Sequence, residues 1–240
     1  MKRISLFLIG VLALVGLLAA AGISASKGGG ATPEPPGPAG FVARVDNPWF
    51  PLRPGSTDVY HGVKEGERSR DIFTVTGETK LIEGVRCTAV SDRLYLKGQL
   101  EERTTDWYAQ DKAGNVWYFG EATAELHPNG SVKSTEGSWQ AGVDGARAGI
   151  FMPAHPHPGQ HGQQESYKGH AQDHYRVLSL TARVQTPAAS SSAALLTQEW
   201  TPLEPGVIDH KLYVKGIGTV LEQTIKGGDE RNTLVAIRHR

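Results

Sequence analysis

The feature that most constrains this chain is a regular succession of short β-type runs separated by turn dipeptides. IFTVT at 72–76 and VRCTAV at 85–90 are rich in β-branched residues, and the turn pairs EG at 83–84 and KG at 97–98 stand beside them. Such runs favour strands, and pairs ending in glycine are typical of tight hairpin turns. Outside the N-terminal segment, no stretch of ten residues has the 3.6-residue period of an amphipathic helix. The sequence therefore predicts a mainly β fold.

Further strands are predicted along the rest of the chain, at a spacing that suits consecutive hairpins. They are 57–64, 115–121, 131–139, 163–168, 174–181, 194–201, 210–215, 218–225 and 232–238. The 29 glycines and 14 prolines agree with a chain rich in turns. Sequential hairpins favour an antiparallel meander curled into a barrel-like or sandwich domain, with little helix apart from the N-terminal segment.

Residues 1–25 have the pattern of a secretory signal. Lys2 and Arg3 precede an uncharged, mostly apolar run at 4–23 that ends among small residues. About 20 apolar residues are also long enough to span a bilayer, so an uncleaved N-terminal membrane anchor is the alternative. In either case we expect the remaining chain to be secreted or to lie outside the cytoplasmic membrane.

Residues 26–40 are rich in glycine and proline and predict a flexible linker, followed by a single β-rich domain at 41–240. The chain has 25 basic and 25 acidic residues, so it lacks the basic footprint of a nucleic-acid-binding protein. We therefore expect no nucleic-acid partner, and membrane contact only through an uncleaved anchor. The partner to be sought is a small molecule or an envelope protein.

Motifs of covalent and nucleotide chemistry are missing from the sequence. The single cysteine, Cys87, allows no intramolecular disulfide, and we expect it to be a buried apolar filler. There is no Gly-x-Ser-x-Gly elbow, no phosphate-binding glycine loop and no dinucleotide fingerprint. The question of an enzyme stays open, with the sequence favouring a non-catalytic protein without a cofactor.

Histidines are concentrated in one part of the chain and form a candidate metal site. Five of the nine histidines lie between residues 155 and 174: His155, His157, His161, His170 and His174. Imidazoles together with a carboxylate are ligands for zinc, copper or non-haem iron. The candidate ligands are His155, His170, Asp173 and His174, with His210 in reserve. The alternatives are ordinary hydrogen-bonding histidines or a proton switch.

Aromatic residues form a second concentration, in two runs that should pair as a hairpin. DWYAQD at 106–111 and NVWYFGE at 115–121 place five aromatic rings within thirteen residues. Such rings can form a wall for an apolar or sugar-like ligand. The candidate ligand-binding residues are Trp107, Trp117, Tyr118 and Trp139. The alternative is a bulky β core.

Several of these segments resemble a family of uncharacterised bacterial secreted proteins. The segments are NPWFPL at 47–52, DWYAQD, NVWYFGE, EGSWQAG at 136–142, GIFMPA at 149–154, KGHAQDH at 168–174 and EWTPLEPG at 199–206. The resemblance spans nearly all of residues 41–225 and implies no particular activity. It includes the segments of His155, His170, Asp173, His174 and His210, whereas His157 and His161 look less typical of the family. KGIGTV at 215–220 also resembles the last hairpin of several curved-sheet envelope lipoproteins.

Three functions follow as hypotheses. The first is an exported cell-envelope protein that binds a small or apolar ligand, or a protein partner, without catalysis. The second is a metal-binding protein, using zinc or copper for hydrolysis at the histidine cluster. The third is an assembly role in the envelope, through edge strands or the proline-rich loop at 152–158.

Overall fold

The structure is a computed structural model that describes residues 33–239, in which sixteen strands form one antiparallel sheet. A single 3-10 turn, Pro38–Gly40, precedes them. The strands are β1 (Phe41–Val42), β2 (Ser56–Lys64), β3 (Glu67–Ile82), β4 (Val85–Leu96), β5 (Gln99–Asp111), β6 (Val116–Leu126), β7 (Val132–Ser134), β8 (Trp139–Gln140), β9 (Arg147–Met152), β10 (His161–Gln163), β11 (Glu165–Ser166), β12 (His174–Gln185), β13 (Ser190–Trp200), β14 (Ile208–Val214), β15 (Gly218–Lys226) and β16 (Arg231–His239).

The sheet curls until its two edges nearly meet, which makes it a nearly closed barrel. Strands β2 to β6 and β12 to β16 follow one another as hairpins, and β16 joins the two groups by pairing with β2. Residues 161–166 fill the remaining gap, because β10 pairs with β12 on one side and β11 with β9 on the other. The predicted antiparallel, barrel-like fold is confirmed.

The last gap is narrow at Gly149 in β9, and only glycine fits there. A Cβ atom at this position would lie 2.4 Å from the carbonyl oxygen of Gln163 and 2.5 Å from that of Gln164. Any side chain would therefore push β9 away from residues 161–166. This glycine belongs to the GIFMPA segment at 149–154, so one of the segments that carry the family resemblance has a structural role in closing the barrel.

Three of the hairpins use two-residue turns in which both residues have positive φ. The turns are 65–66, 83–84 and 97–98, each a charged residue followed by glycine. Paired positive φ values match the right-handed twist of the flanking strands. The turns predicted at 83–84 and 97–98 are confirmed, whereas the one at 65–66 was not predicted.

The predicted strand positions agree closely with the observed ones, although two stretches differ in detail. The predicted strand at 131–139 is two short strands, β7 and β8, and the one at 163–168 is divided between β10 and β11. The hairpin formed by β12 and β13 is longer than predicted at its 186–189 turn. The strand at 163–168 is divided because β10 pairs with β12, whereas β11 pairs with β9.

Apolar packing occurs on the outer face of the sheet as well as inside the barrel. The Phe41 ring lies edge-on to Trp117, at 6.5 Å, and to Phe119, at 5.5 Å between centroids. Cys87 is fully buried, as predicted for an apolar filler. Burial raises the pKa of its thiol to about 12, so the reactive thiolate is disfavoured.

The signal or anchor predicted at residues 1–25 lies outside the described residues, as does most of the predicted linker. Within residues 33–40, Glu34 forms an ion pair of 3.0 Å with Arg147, and the 3-10 turn packs beside Gly84. The boundary at residue 41 stays a prediction. Along residues 33–239 there is no helix of the length and apolarity needed to cross a membrane.

Candidate functional site: the barrel mouth and the acidic interior

One end of the barrel is closed by residues 45–52, which we call the plug. Val45 and Leu52 pair across its base. Between them, the ring of Phe50 enters the barrel and lies 4.6 Å from the ring of Phe151 and 5.2 Å from that of Tyr108. The NPWFPL segment is therefore an apolar stopper for this end, which we call the mouth.

Two amide side chains hold the plug in place. Asn47 donates from Nδ2 to the carbonyl oxygens of Gly114, at 2.8 Å, and Pro153, at 3.1 Å. Its Oδ1 accepts a hydrogen bond from the backbone N–H of Trp49. Gln110 Oε1 accepts two backbone N–H groups of the plug, including that of Asn47 at 2.7 Å. These buried bonds fix the plug to the 112–115 turn and to the end of β9.

Behind the plug lies a cavity of about 200 Å³. Five aromatic rings line its walls: those of Phe50, Tyr60, Phe73, Tyr108 and Phe151. An apolar cavity of about 150 Å³ is large enough to bind benzene, so this one has room for a single ring with a short substituent. The mouth cavity thus combines apolar aromatic rings with several polar groups, and both kinds of lining occur in small-molecule sites.

Asp58 is the one carboxylate among the residues that line the mouth cavity. It lies half-buried in β2, between Ser56 and Tyr60 on the same side of the strand. Burial raises the pKa of its carboxyl to about 6, although the nearby charge of Arg53 opposes the shift. No residue within 33–239 forms a hydrogen bond to this carboxylate. A desolvated carboxylate with a perturbed pKa in a cavity is a candidate functional group.

Two other polar groups at the cavity are committed to fixed contacts. Arg53 donates to the carbonyl oxygen of Gly216 at 2.9 Å, and the Tyr60 hydroxyl donates to that of Thr219 at 2.9 Å. These bonds join the start of β2 to the turn between β14 and β15. They shape the rim and keep the mouth cavity open on one side of the plug.

Beyond the cavity, the barrel holds an unusual number of buried carboxyl groups, which we call the acidic interior. Its members are Asp71, Asp92, Glu102, Asp106, Glu121, Glu165, Asp173, Glu199, Asp209 and Glu222. Among the described residues, the buried lysines are Lys64 and Lys211. Buried carboxylates are stable only when they are paired or protonated, so the imbalance has energetic consequences.

Lys211 is the central cation of the acidic interior and reaches the floor of the mouth cavity. Its Nζ lies 2.9 Å from Glu199 and 3.5 Å from Glu222. Burial opposes the charge of Lys211, but the two glutamates outweigh it and raise its pKa well above the ordinary value. Glu199 also accepts hydrogen bonds from Thr197 and Tyr213, so one of its oxygens is fully used.

Three other acids of the acidic interior form no ion pair with a lysine or arginine among the described residues, although Arg93 acts on Asp106 and Lys211 on Glu165 from a longer distance. Asp106 and Glu121 are direct cross-strand partners in β5 and β6, and Asp106 accepts a hydrogen bond from Tyr118 at 2.9 Å. Both carboxyl oxygens of Glu121, and both of Glu165, lack a hydrogen-bond partner among the described residues. Burial, reinforced by neighbouring carboxyls, raises the pKa of all three acids well above their ordinary range. Burial therefore favours the neutral, protonated form of these groups.

The four aromatic residues predicted to form a ligand wall are all buried and do not share one surface. Tyr118 stacks on Tyr108 at 4.8 Å and contacts Trp139 at 5.4 Å inside the barrel. Trp117 contacts Phe41 and donates to Asp111, and Trp107 lies under the ammonium of Lys80. None of the four lines the mouth cavity. Neighbouring residues of a strand point to opposite faces, which divides the set between two layers.

The predicted metal ligands are separated, and this corrects the histidine-cluster hypothesis. Asp173 is buried inside, whereas His174 stacks on Trp200 at 5.5 Å and His170 bonds to Glu136 at 2.9 Å. His155 lies beside the plug at the mouth end. Within residues 33–239, no group of three or more His, Cys, Asp or Glu side chains is placed to hold a metal ion. Strand alternation sends Asp173 and His174 to opposite faces.

Zinc is accordingly expected to leave the thermal stability of this protein unchanged. The check is the Tm of the wild type and of the double variant His170→Ala/His174→Ala, each with excess zinc and with a chelator. A ligand that binds the folded state raises the Tm. A zinc-dependent rise in the wild type that the double variant loses would contradict the separated arrangement of the histidines.

Comparisons with other proteins give two structural matches. No protein-family model and no curated protein matches the chain. A Bacteroides fragilis structure, labelled as an exported protein with a YmcC-like fold, is 14% identical and covers 79% of this chain and 98% of its own, with a TM-score of 0.47. A Parabacteroides distasonis structure labelled as a lipoprotein is 11% identical, with the same coverages and a TM-score of 0.44. At this similarity, function must rest on this chain's own side chains.

Proposed function

We propose that this protein is exported and binds a small, largely apolar molecule in the mouth cavity without catalysing a reaction. The mouth cavity carries the proposal, because a recess of about 200 Å³ lined by five aromatic rings suits one ring-sized ligand. Export is supported by the basic start and apolar run of residues 1–25.

The polar groups of the mouth cavity support binding more than catalysis. Arg53 and Tyr60 are engaged with backbone carbonyl oxygens, and Lys211 is held between two glutamates. Groups fixed in this way orient a ligand but are poor proton carriers, since a general acid or base must reach the reacting atom. Asp58 is the one carboxylate that lines the cavity, and a single carboxylate is sufficient for recognition.

We also propose that the chain belongs to the secreted bacterial family that its motifs resemble. The places of those motifs support this, since NPWFPL forms the plug. DWYAQD and NVWYFGE form the β5–β6 hairpin, which supplies Tyr108 to the mouth cavity and Asp106 and Glu121 to the acidic interior. The motif residues thus concentrate around the proposed ligand site and its supporting layer.

The proposed function is tested by blocking the mouth cavity with one side chain. Ser56 lines the cavity, whereas the neighbouring Thr57 lies on the other side of β2, with its hydroxyl 3.1 Å from that of Thr74. Ser56→Phe is expected to fill the cavity and abolish binding of benzyl alcohol, used as a ring-sized probe. Thr57→Phe adds the same ring to the outer face and is expected to leave binding intact.

Calorimetry and thermal unfolding with benzyl alcohol provide the readout. A probe present at about 100 times its dissociation constant stabilises a protein by about 2.7 kcal/mol, which is a clear shift in Tm. Stabilisation of the wild type and of Thr57→Phe, with none for Ser56→Phe, is the expected pattern. Failure of the wild type to bind the probe, or equal binding by both variants, would overturn the proposed site.

A further inference from the structure

We infer that the ligand of the mouth cavity is a small organic amine, whose ring lies among the aromatic walls and whose ammonium group pairs with Asp58. This inference rests on the proposed function and specifies the chemistry of the ligand. It follows from three features of the cavity: an unpaired carboxylate, aromatic faces close to it, and the arrangement of the surrounding charges.

The unpaired carboxylate is the first feature. Asp58 lines the cavity, and no described residue forms a hydrogen bond to its oxygens. A half-buried carboxylate has lost part of its hydration, and a charged donor restores more of that loss than a neutral one does. A ligand ammonium with three donor hydrogens meets this need, whereas a ligand carboxylate would be repelled.

The aromatic walls are the second feature. Phe50, Phe73, Tyr108 and Phe151 border the same cavity as Asp58. Phe73 is also the residue of β3 that lies directly opposite Asp58 in the β2–β3 pair. The faces of aromatic rings attract cations within about 6 Å, so these walls favour a cationic head group as well as an apolar ring.

The remaining charges around Asp58 are the third feature. From the segment before β2, Arg53 faces Asp58 but keeps a hydrogen bond to Gly216 at the rim. From β14, Lys211 reaches the cavity, but Glu199 and Glu222 surround its ammonium group. Tyr60, Tyr108 and His239 complete the titratable groups that line the cavity. Asp58 is the one carboxylate among the lining residues, and both Arg53 and Lys211 are engaged with other acceptors, which leaves its negative charge for a cationic ligand.

Three probes of nearly equal size separate the possible ligand classes: benzylamine, benzyl alcohol and benzoate. At about pH 7.5 the wild type is expected to bind benzylamine roughly 10- to 100-fold more tightly than benzyl alcohol, the range for a hydrogen bond to a charged group. Asp58→Asn should remove this preference while it keeps the affinity for benzyl alcohol, which also shows that the variant is folded.

The pH provides a second, independent readout. The Asp58 carboxyl has a pKa of about 6, so most of it is protonated at about pH 5. Benzylamine binding should therefore weaken by about tenfold between about pH 7.5 and 5, with benzyl alcohol unaffected. Equal affinities for amine and alcohol, tighter binding of benzoate, or a preference that survives Asp58→Asn would overturn the inference. Failure of all three probes to bind would overturn the proposed function as well.

Discussion

The protein is expected to lose stability as the pH rises from about 5 to about 8, the opposite of what salt-bridged carboxylates produce. The cause is the acidic interior, where burial raises the pKa of Glu102 to about 8 and raises the pKa of Glu121 and Glu165 well above the ordinary range. Between the unfolded pKa, about 4.3 for Glu, and the raised folded pKa, the folded state binds more protons. Each such group then removes about 1.4 kcal/mol of stability per pH unit.

Two histidines make the stability increase with pH instead, but only over a narrow pH range. Burial lowers the pKa of His174 and His210, so their contribution to stability increases with pH up to their unfolded pKa of about 6.5. Above that value they add nothing further. Glu102 alone should remove on the order of 3 kcal/mol between about pH 5 and 7. The net slope is therefore expected to be negative, and steepest above about pH 6.5.

Urea unfolding at a series of pH values measures how the free energy of unfolding changes with pH. A pair of variants then tests whether Glu102 causes the decline. Glu102→Gln replaces a buried acid with a neutral isostere and should flatten the decline. Glu101→Gln is the matched control, because Glu101 is the adjacent, less buried residue of the same strand and should leave the slope unchanged. A stability maximum near pH 7 to 8 in the wild type would show that the acidic interior is ionised and compensated instead.

The sequence predicted the fold well because the fold is built from local hairpins. Alternating β-branched runs and charged-residue–glycine turns indicate each strand pair without information from distant residues. Closure of the barrel could not be predicted, since it depends on residues 161–166 pairing with two strands from different parts of the chain. Gly149, which allows that closure, looks like any other glycine in the sequence.

The site was predicted less well, because the prediction was based on clusters of aromatic rings and histidines. It did not consider the acidic residues beside them in the sequence. DWYAQD was singled out for Trp107, yet the strand's other face supplies Asp106 and Tyr108 to the barrel. Pairing Asp106 with Glu121 requires only the register of the β5–β6 hairpin, which includes a bulge at Phe119. Two acids directly opposite each other on an inward face would have been a usable signal. Asp58 and Lys211 gave no such local sign, since the long-range closure between β2 and β16 brings their strands to one cavity.

Removal of the Lys211 charge from the acidic interior is expected to lower the free energy of unfolding more than any other single substitution considered for this protein. Lys211→Met keeps the length of the side chain but leaves Glu199 and Glu222 without their ion pairs. Breaking a buried pair by removing one partner typically costs about 3 to 5 kcal/mol, because the remaining charge is buried and uncompensated. Urea unfolding at about pH 8 should show a loss of this size. Lys226→Met is the control, since Lys226 is exposed at the end of β15 and should change stability by about 0.5 kcal/mol or less.

The pH dependence of that loss separates lost charge compensation from simple repacking. Burial raises the pKa of Glu222 well above its ordinary range even with Lys211 present, and without the lysine the pKa should rise further. At about pH 5 the variant can then bury a neutral Glu222, so its deficit relative to the wild type should shrink. The double variant Lys211→Met/Glu222→Gln should recover part of the loss at about pH 8. A deficit that is equal at both pH values, or unchanged by Glu222→Gln, would mean that Lys211 stabilises the barrel through its packing and not through its charge.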